Sequence, residues 1–140
     1  MKALEAVEGV VELLLLKKLS GREYFIYALL EHINGSSPSE LAEKYGISSK
    51  RTLKAFFDRL VKRAGSPFLA TDIIRVSAPI ILAEEVWFRE GTCLLCGRLI
   101  GGRDTPENHI YHSHRKIFMS KVSETVDKVV RQIKTMHPAR

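Results

Sequence analysis

The 140-residue chain contains few of several residue types that would each indicate a particular class of protein. Its only cysteines are Cys93 and Cys96, too few for the disulfide framework of a small secreted domain. The longest strongly apolar run, residues 10–16, is interrupted by Glu12 and falls far short of the roughly 20 residues that a membrane-spanning helix needs. The first residues include acidic side chains and show no signal-peptide cleavage pattern. We therefore expect a cytoplasmic protein without a membrane partner.

Side-chain amides are scarce as well, since the chain has only Asn34, Asn108 and Gln132. Glutamate and lysine are plentiful, and this combination is a compositional feature of proteins from hyperthermophiles. The chain also contains no glycine-rich phosphate loop, no nucleophile elbow and no carboxylate pair for acid–base catalysis. We therefore expect neither an enzyme nor a protein that takes a small-molecule substrate.

Positive charge is abundant but unevenly distributed. The formal net charge is +6 and the isoelectric point is about 9.5. Residues 49–65 hold six Lys or Arg against one Asp, and residues 101–140 hold eight against four Asp or Glu. The rest of the chain is slightly acidic. Local positive charge on a nearly neutral chain is typical of a surface that binds a polyanion.

Apolar residues that recur at steps of three and four predict a mostly helical chain. The predicted helices cover residues 3–19, 22–33, 38–45, 49–64 and 115–136. Asn34-Gly35 and Gly65 follow two of these segments and are typical of helix C-termini. The basic segment 49–65 therefore falls almost entirely on one predicted helix.

Residues 66–88 have a different pattern that is rich in isoleucine and valine. Such residues favour strands, and Pro67 and Pro79 interrupt the segment. We predict a small hairpin whose turn lies near residues 70–72 or near residues 77–79. A helix beginning at Pro79 is the alternative for the second half of this segment.

The third and fourth predicted helices are joined by a segment suited to a tight turn. Ala42 is small where two helices must approach closely, and Gly46 can adopt the positive φ that such a turn requires. Ile47 fills the corner, and Ser48 or Ser49 caps the following helix. This arrangement presents the basic helix outward, in a way that fits the major groove of B-DNA.

The order of helix, short helix, basic helix and hairpin resembles the winged helix-turn-helix proteins, especially small transcription regulators of archaea and archaeal viruses. The resemblance covers roughly residues 22–88. It implies that the fourth helix is a recognition helix that contacts the bases and phosphates of double-stranded DNA. The residues implied in these contacts are Ser49, Lys50, Arg51 and Lys54. It also implies that the hairpin is a wing, whose single basic residue is Arg75.

The two cysteines and two of the histidines have the spacing of a zinc site. Two residues separate Cys93 from Cys96, and twelve more precede His109. Four residues then separate His109 from His114. Tetrahedral Zn²⁺ requires four such donors within about 2.0–2.3 Å. Thr105 is placed to cap the short helix that carries the histidines.

Other interpretations of these residues stay open. His112 is a rival ligand, although it would leave only two residues after His109. The cysteines could instead be a redox pair or a structural disulfide. No βαβ pattern follows them, however, and a cytoplasmic location disfavours a disulfide.

The spacing resembles the two-cysteine, two-histidine zinc finger over roughly residues 86–116. The resemblance implies a ββα unit that holds Zn²⁺ through four protein ligands. Such a site leaves no position open for a reacting water, so its role is structural. Arg115 and Lys116 lie beside the predicted site and are candidates for additional contacts with DNA phosphates.

These patterns together predict a mainly α fold with a small β component: a winged helix-turn-helix, a ββα zinc finger and terminal helices. The segments are an N-terminal helix that is a candidate for dimerisation, the DNA-binding domain, the finger and a C-terminal helix. Their bounds are 1–20, 21–88, 89–116 and 117–140. Regulators of this type often read two half-sites as symmetric dimers, so we expect a homodimer formed by the first or the last helix.

The predicted function is sequence-specific DNA-binding regulation of transcription, in the host cytoplasm if the chain is viral. One alternative is an adaptor that binds a component of the transcription machinery. Another is a metal-dependent nuclease, because Asn108-His109-Ile110 downstream of the cysteines faintly resembles the ββα-metal nucleases. Those enzymes usually have a second CxxC pair, which this chain lacks.

Overall fold

A computed structural model describes residues 2–136 of the chain. Over this range the protein is mainly helical, with one short antiparallel hairpin, as the sequence predicts. The helices are α1 (Lys2–Leu19), α2 (Tyr24–Ile33), α3 (Pro38–Tyr45), α4 (Lys50–Ala64), α5 (Pro67–Leu82), α6 (Pro106–Ser113) and α7 (Arg115–Met136). The strands are β1 (Phe88–Arg89) and β2 (Thr92–Cys93).

Helix α1 is the central element of the fold. It is apolar around most of its circumference, and a helix with that composition must be covered on nearly all sides. Helices α4, α5 and α7 pack around it, and Val10 and Leu14 are fully buried. Most of the apolar surface of α1 is therefore covered within one copy of the chain, which leaves little of it for contact with a second copy. Its role in dimerisation stays a prediction.

Helices α2, α3 and α4 follow one another as the sequence predicts, with a tight turn between α3 and α4. Gly46 ends α3 with φ of 67°, the left-handed conformation that favours glycine. Ile47 is buried in the corner that follows. Of the two candidate caps, Ser49 takes the position: its hydroxyl accepts a hydrogen bond from the Thr52 amide at 3.3 Å.

The predicted wing is wrong, because residues 67–82 form the helix α5 instead of a hairpin. Ser66 caps this helix by accepting a hydrogen bond from the Leu69 amide at 3.1 Å, and Pro67 occupies its first turn. Pro79 lies inside the helix, where its missing N–H costs one backbone hydrogen bond. The alternative of a helix beginning at Pro79 is also wrong, since the helix begins twelve residues earlier.

The reason for the error is visible in the spacing of the buried residues. On α5 they are Ala70, Ile73, Ile74, Ser77, Ala78 and Ile81. Steps of three and four are the helical period, and they outweigh the strand propensity of isoleucine and valine once one face packs against α1. The strands of the protein lie further along the chain, beside the cysteines.

Helix α7 follows the prediction closely. Phe118, Val122, Val126 and Val129 are buried at steps of three and four and face α1 and α5. The predicted segment 117–140 extends further than this helix, and its residues 137–140 lie outside the described residues.

One buried apolar core connects all of these elements, including the segment with the cysteines. It contains residues of α1, α2 and α4, and it continues through Cys93 and Ile110 to Phe118. The amide of Trp87 donates to the carbonyl of Leu19 at 2.8 Å, which fixes the end of α1 to the start of the hairpin.

Between residues 2 and 136, no single helix is long and apolar enough to cross a membrane. Helices α4 and α5 reach that length and composition only as a pair, and the chain bends by 101° between them.

Candidate metal centre and nucleic-acid interface

A two-residue turn brings the first cysteine into place. Strands β1 and β2 pair Phe88 with Cys93 and Arg89 with Thr92. Glu90 and Gly91 connect the strands, with φ of 51° and 80°. Two positive φ values in a two-residue hairpin match the twist of the strands. The turn therefore sets which face of the hairpin Cys93 occupies.

Backbone hydrogen bonds then fold the residues after Cys93 into a tight knuckle. The carbonyl of Cys93 accepts from the Gly97 amide at 2.7 Å, and its amide donates to the Arg98 carbonyl at 2.8 Å. Gly97 has φ of 78°, which a residue with a side chain adopts only with strain. These bonds return the chain on itself and place the Cys96 thiol beside that of Cys93.

Helix α6 carries the histidines. Thr105 caps it by accepting a hydrogen bond from the Asn108 amide at 3.1 Å, and Pro106 occupies its first position, as the sequence predicts. His109 lies one turn into the helix, and His114 is its C-terminal cap. The Phe88 ring meets His109 edge to face at 5.9 Å between ring centroids, which holds the imidazole against the hairpin.

The four side chains converge on one point. The ligand atoms of Cys93, Cys96, His109 and His114 all lie within 4.8 Å of one another. The Cys93 sulfur is 3.5 Å from His114 Nε2, and the Cys96 sulfur is 3.4 Å from His109 Nε2. A tetrahedron with Zn–S of 2.3 Å and Zn–N of 2.0–2.1 Å has S–N edges of about 3.6 Å. The donor set and its spacing therefore fit Zn²⁺.

The electrostatics of the site suit metal binding. Burial, followed by the proximity of His114 and Arg98, lowers the pKa of His109. The neutral imidazole is the form that binds a metal, so this shift favours the ligand state. Cys93 is fully buried and Cys96 is exposed, so the site has an inner side and a solvent side. Both cysteines are free thiols, so the disulfide alternative is not the state of this structure.

The rival ligand His112 is not part of the cluster. Its side chain is exposed on α6, whereas His114 lies at the end of that helix beside Cys93. His112 follows His109 by three positions, which is close to one helical turn, but the helix ends at His114, and the His114 ring turns inward instead. The structure thus brings together the four residues preferred from the spacing.

The basic residues at the start of α4 form a second candidate site. Lys50, Arg51 and Lys54 are exposed, and within residues 2–136 none of them forms an ion pair. They line a shallow groove together with Pro38 and Ser39 at the start of α3. Two helix N-termini therefore border this groove, and both favour negative charge. The Ser49 hydroxyl is exposed at the same end.

The remaining basic residues predicted to contact DNA are not gathered at this groove. Arg75 lies on the exposed side of α5, next to Pro79 and Met136, and therefore not on a wing. Arg115 and Lys116 are exposed at the start of α7, and the Arg115 guanidinium lies 5.8 Å from the ring centroid of Tyr111. The α4 cations are thus exposed on a helix and their contact with DNA stays a prediction, whereas the predicted wing around Arg75 is wrong.

Two partly buried polar contacts between α6 and α1 were not anticipated from the sequence. The Lys17 ammonium pairs with the Glu107 carboxylate at 2.9 Å, and the Tyr111 hydroxyl donates to Glu12 at 2.6 Å. Burial and the bond to Glu12 raise the pKa of Tyr111. The sequence spacing could have indicated that Lys17 is buried. It follows the core residues Val10 and Leu14 at steps of four and three, and so lies on the same face of α1.

Comparisons with models of protein families, with curated proteins and with solved structures found no match to this chain. Its class is therefore defined by its own geometry. It is a mainly helical protein with a four-residue cysteine and histidine cluster that could hold a zinc ion.

Proposed function

We propose that the protein binds double-stranded DNA through helix α4 and regulates transcription. The observation that carries this proposal is the exposure of Lys50, Arg51 and Lys54 directly after the left-handed turn at Gly46, free of ion pairs among the described residues. Positively charged side chains gathered on one exposed surface are typical of a site that binds a polyanion. Here three exposed cations lie together at the start of the helix that follows the turn at Gly46, where a recognition helix carries its DNA contacts.

The zinc site has a structural role in this proposal. Four protein ligands complete a tetrahedral shell, so no position is left for a substrate or a reacting water. The segment between Leu82 and α7 has only two strands of two residues each and one helix of eight residues. So little regular structure gains much of its stability from a bound metal. This site therefore disfavours the nuclease alternative, which needs an open metal position beside a histidine base.

Three exposed leucines favour a second candidate function, an adaptor that binds another protein. Leu94, Leu95 and Leu99 on the cysteine knuckle are 48%, 41% and 71% exposed. A cluster of large apolar side chains on a small rigid loop is typical of an interaction surface. The two candidate functions are compatible in one molecule, but only the first requires DNA.

A homodimer is part of the leading proposal, because two recognition helices read more sequence than one. Leu4 and Met119 are exposed in a groove between α1 and α7 and are available for such a contact. Light scattering of the purified protein, alone and with DNA, measures the number of copies.

The test is selection of bound duplexes from a random DNA pool by the zinc-loaded protein, followed by affinity measurements at several salt concentrations. Binding through several phosphates predicts a steep, linear fall of log K with log salt, with a slope of about −0.9 per phosphate contact. Enrichment of one sequence supports the proposal. An unenriched pool with no salt-dependent binding contradicts it and favours the adaptor.

A further inference from the structure

A buried lysine joins the metal-binding helix to the proposed recognition helix. Lys17 of α1 is 8% exposed. Its ammonium lies 4.3 Å from the ring centroid of Phe25 on α2 and 5.1 Å from that of Phe56 on α4. Both rings are buried in the core. The cation is therefore inside the contact of α1 with α2 and α4.

The carboxylate that neutralises this cation comes from the metal-binding helix. Glu107 lies in the first turn of α6, two residues before the ligand His109, and its Oε1 is 2.9 Å from Lys17 Nζ. Lys17 has no other ion-pair partner within residues 2–136. Because α6 has only eight residues, it is too short to be stable without tertiary contacts or a bound metal. The position of Glu107 thus depends both on the packing of α6, where Ile110 is fully buried, and on the metal centre that would hold His109 and His114.

A second polar connection follows the same route. Glu12, one and a half turns before Lys17 on α1, accepts the hydrogen bond from Tyr111 of α6 through Oε2. Its other oxygen, Oε1, is 3.6 Å from the Arg63 guanidinium at the end of α4. An acidic and a basic residue of α1 therefore each contact both α6 and the region of α4.

We propose that zinc occupancy controls the affinity of the protein for DNA through Lys17, which makes the protein a metal-responsive regulator. This inference rests on the proposed function of α4. Without the metal, α6 releases Glu107, and the Lys17 ammonium is left buried against two aromatic rings. A buried cation that has lost its partner must be hydrated, and hydration separates α1 from Phe25 and Phe56. The separation displaces α4 and lowers the affinity of the protein for DNA.

Thermodynamic linkage makes the effect reciprocal: DNA raises the affinity for zinc by the same factor as zinc raises the affinity for DNA. Coupling of this kind typically changes affinity between about 5-fold and 150-fold, and we expect roughly tenfold here. The effect of DNA on zinc binding is measured with a competing chromophoric chelator, in the presence and absence of the selected duplex.

Three variants separate this mechanism from a general effect on stability. Glu107→Gln keeps the zinc ligands but leaves Lys17 unpaired, so its zinc-loaded form should bind DNA as weakly as the zinc-free wild type. Lys17→Met replaces the cation by an apolar chain of similar length, so its DNA affinity should no longer depend on zinc. The double variant should regain the DNA affinity that Glu107→Gln loses, since no unpaired cation remains.

Lys18→Met is the matched control. Lys18 is the next residue of α1, and it pairs with Glu23 at 3.6 Å instead of with α6. This variant loses the same charge from the same helix, and it should keep the full zinc dependence of DNA binding. Loss of zinc dependence in this control as well as in Lys17→Met contradicts the assigned route.

Amide hydrogen exchange of α4, with and without zinc, measures the coupling without DNA. Zinc removal should speed exchange in α4 of the wild type but not of Lys17→Met. If the wild type binds no DNA and this exchange result still holds, the proposed function fails and the coupling stands. If the wild type binds DNA equally with and without zinc, and α4 exchange is unchanged, the coupling fails and DNA binding stands. Loss of the whole helical circular dichroism signal on zinc removal also overturns the proposal, because the link is then general unfolding.

Discussion

A Cβ atom added to Gly9 of α1 would lie 2.9 Å from Cβ of Arg63 on α4. Real Cβ atoms do not approach other atoms this closely, so the contact between these two helices depends on the absence of a side chain at Gly9. Arg63 is held at the same place by its ion pair with Glu12. The central helix and the proposed recognition helix are therefore fitted to each other at this position.

Gly9→Ala is expected to destabilise the protein. Overpacking of a tight contact costs about 1–3 kcal/mol, while alanine in place of glycine inside a helix gains about 1 kcal/mol. The steric cost is the larger because, although Nε of Arg63 at 2.9 Å can move away, its Cβ at the same distance is fixed to the backbone of α4. We expect a net loss of about 1 kcal/mol by urea denaturation. An increase in stability, as helix propensity alone predicts, contradicts the close approach.

Cys96→Ser is expected to lower both zinc affinity and thermal stability. It removes one of four ligands and leaves the fold of the knuckle with less metal-derived stabilisation. The melting temperature should fall by at least about 10 °C relative to the zinc-loaded wild type, measured by calorimetry. His112→Ala is the matched control, because His112 is exposed and outside the cluster. Equal melting temperatures of the wild type with and without a chelator would contradict a structural role of zinc.

Arg51→Ala and Lys54→Ala are each expected to weaken DNA binding without unfolding the protein. Both side chains are exposed and make no ion pair among the described residues, so their loss leaves the packing intact. Each substitution should reduce the magnitude of the salt slope by about one unit if the side chain contacts a phosphate. Lys134→Ala on α7 is a control with the same charge change. Affinity equal to wild type in both α4 variants, with circular dichroism unchanged, refutes the assignment of α4.

Glu31→Gln is expected to reduce stability at neutral pH and to have less effect in acid. The Glu31 carboxylate accepts hydrogen bonds from Lys44 at 2.7 Å and from the Tyr45 hydroxyl, and so joins α2 to α3. The bond from Lys44, followed by that from Tyr45, lowers the pKa of Glu31 below its ordinary value of 4.5. A lowered pKa stabilises the fold above pH 4.5, and this contribution disappears as the pH falls through the lower folded value.

The measurement for Glu31→Gln is the difference in melting temperature from the wild type between pH 7 and pH 3. Acid also protonates the metal ligands, but it does so in both proteins, so the difference isolates Glu31. Glu43→Gln, on the exposed side of α3, serves as the control. A difference between wild type and Glu31→Gln that stays constant over this range argues against the ion pair.

Much of the fold could be predicted because local rules decide it. Gly46 and Ser49 mark the turn and the start of α4 through conformational freedom and capping, which need no information from the rest of the chain. The four residues of the candidate zinc site were predictable for a similar reason. Tetrahedral geometry restricts how far apart in sequence the ligands of a short knuckle and a short helix can lie.

The error at α5 has the opposite origin. Ile73, Ile74 and Val76 favour a strand in isolation, and Pro79 disfavours a helix. The helix forms because its apolar face packs against α1. The free energy gained by this packing exceeds the cost of the unfavourable local preferences. The consequence for function is that Arg75 lies on a helix and has no wing to support it.

The amino-acid sequence by itself determined the turn at Gly46, the position of the exposed cations on α4 and the four residues of the candidate metal site. Each of these depends on residues close together in the chain or on the fixed geometry of one ion. Only the tertiary structure decided that α5 is helical, that α1 is central, and that Lys17 pairs with Glu107 ninety residues away. Pairings over such distances depend on how several helices pack together. The spacing of residues along one helix shows which face is buried, but it does not specify which other helix packs against that face.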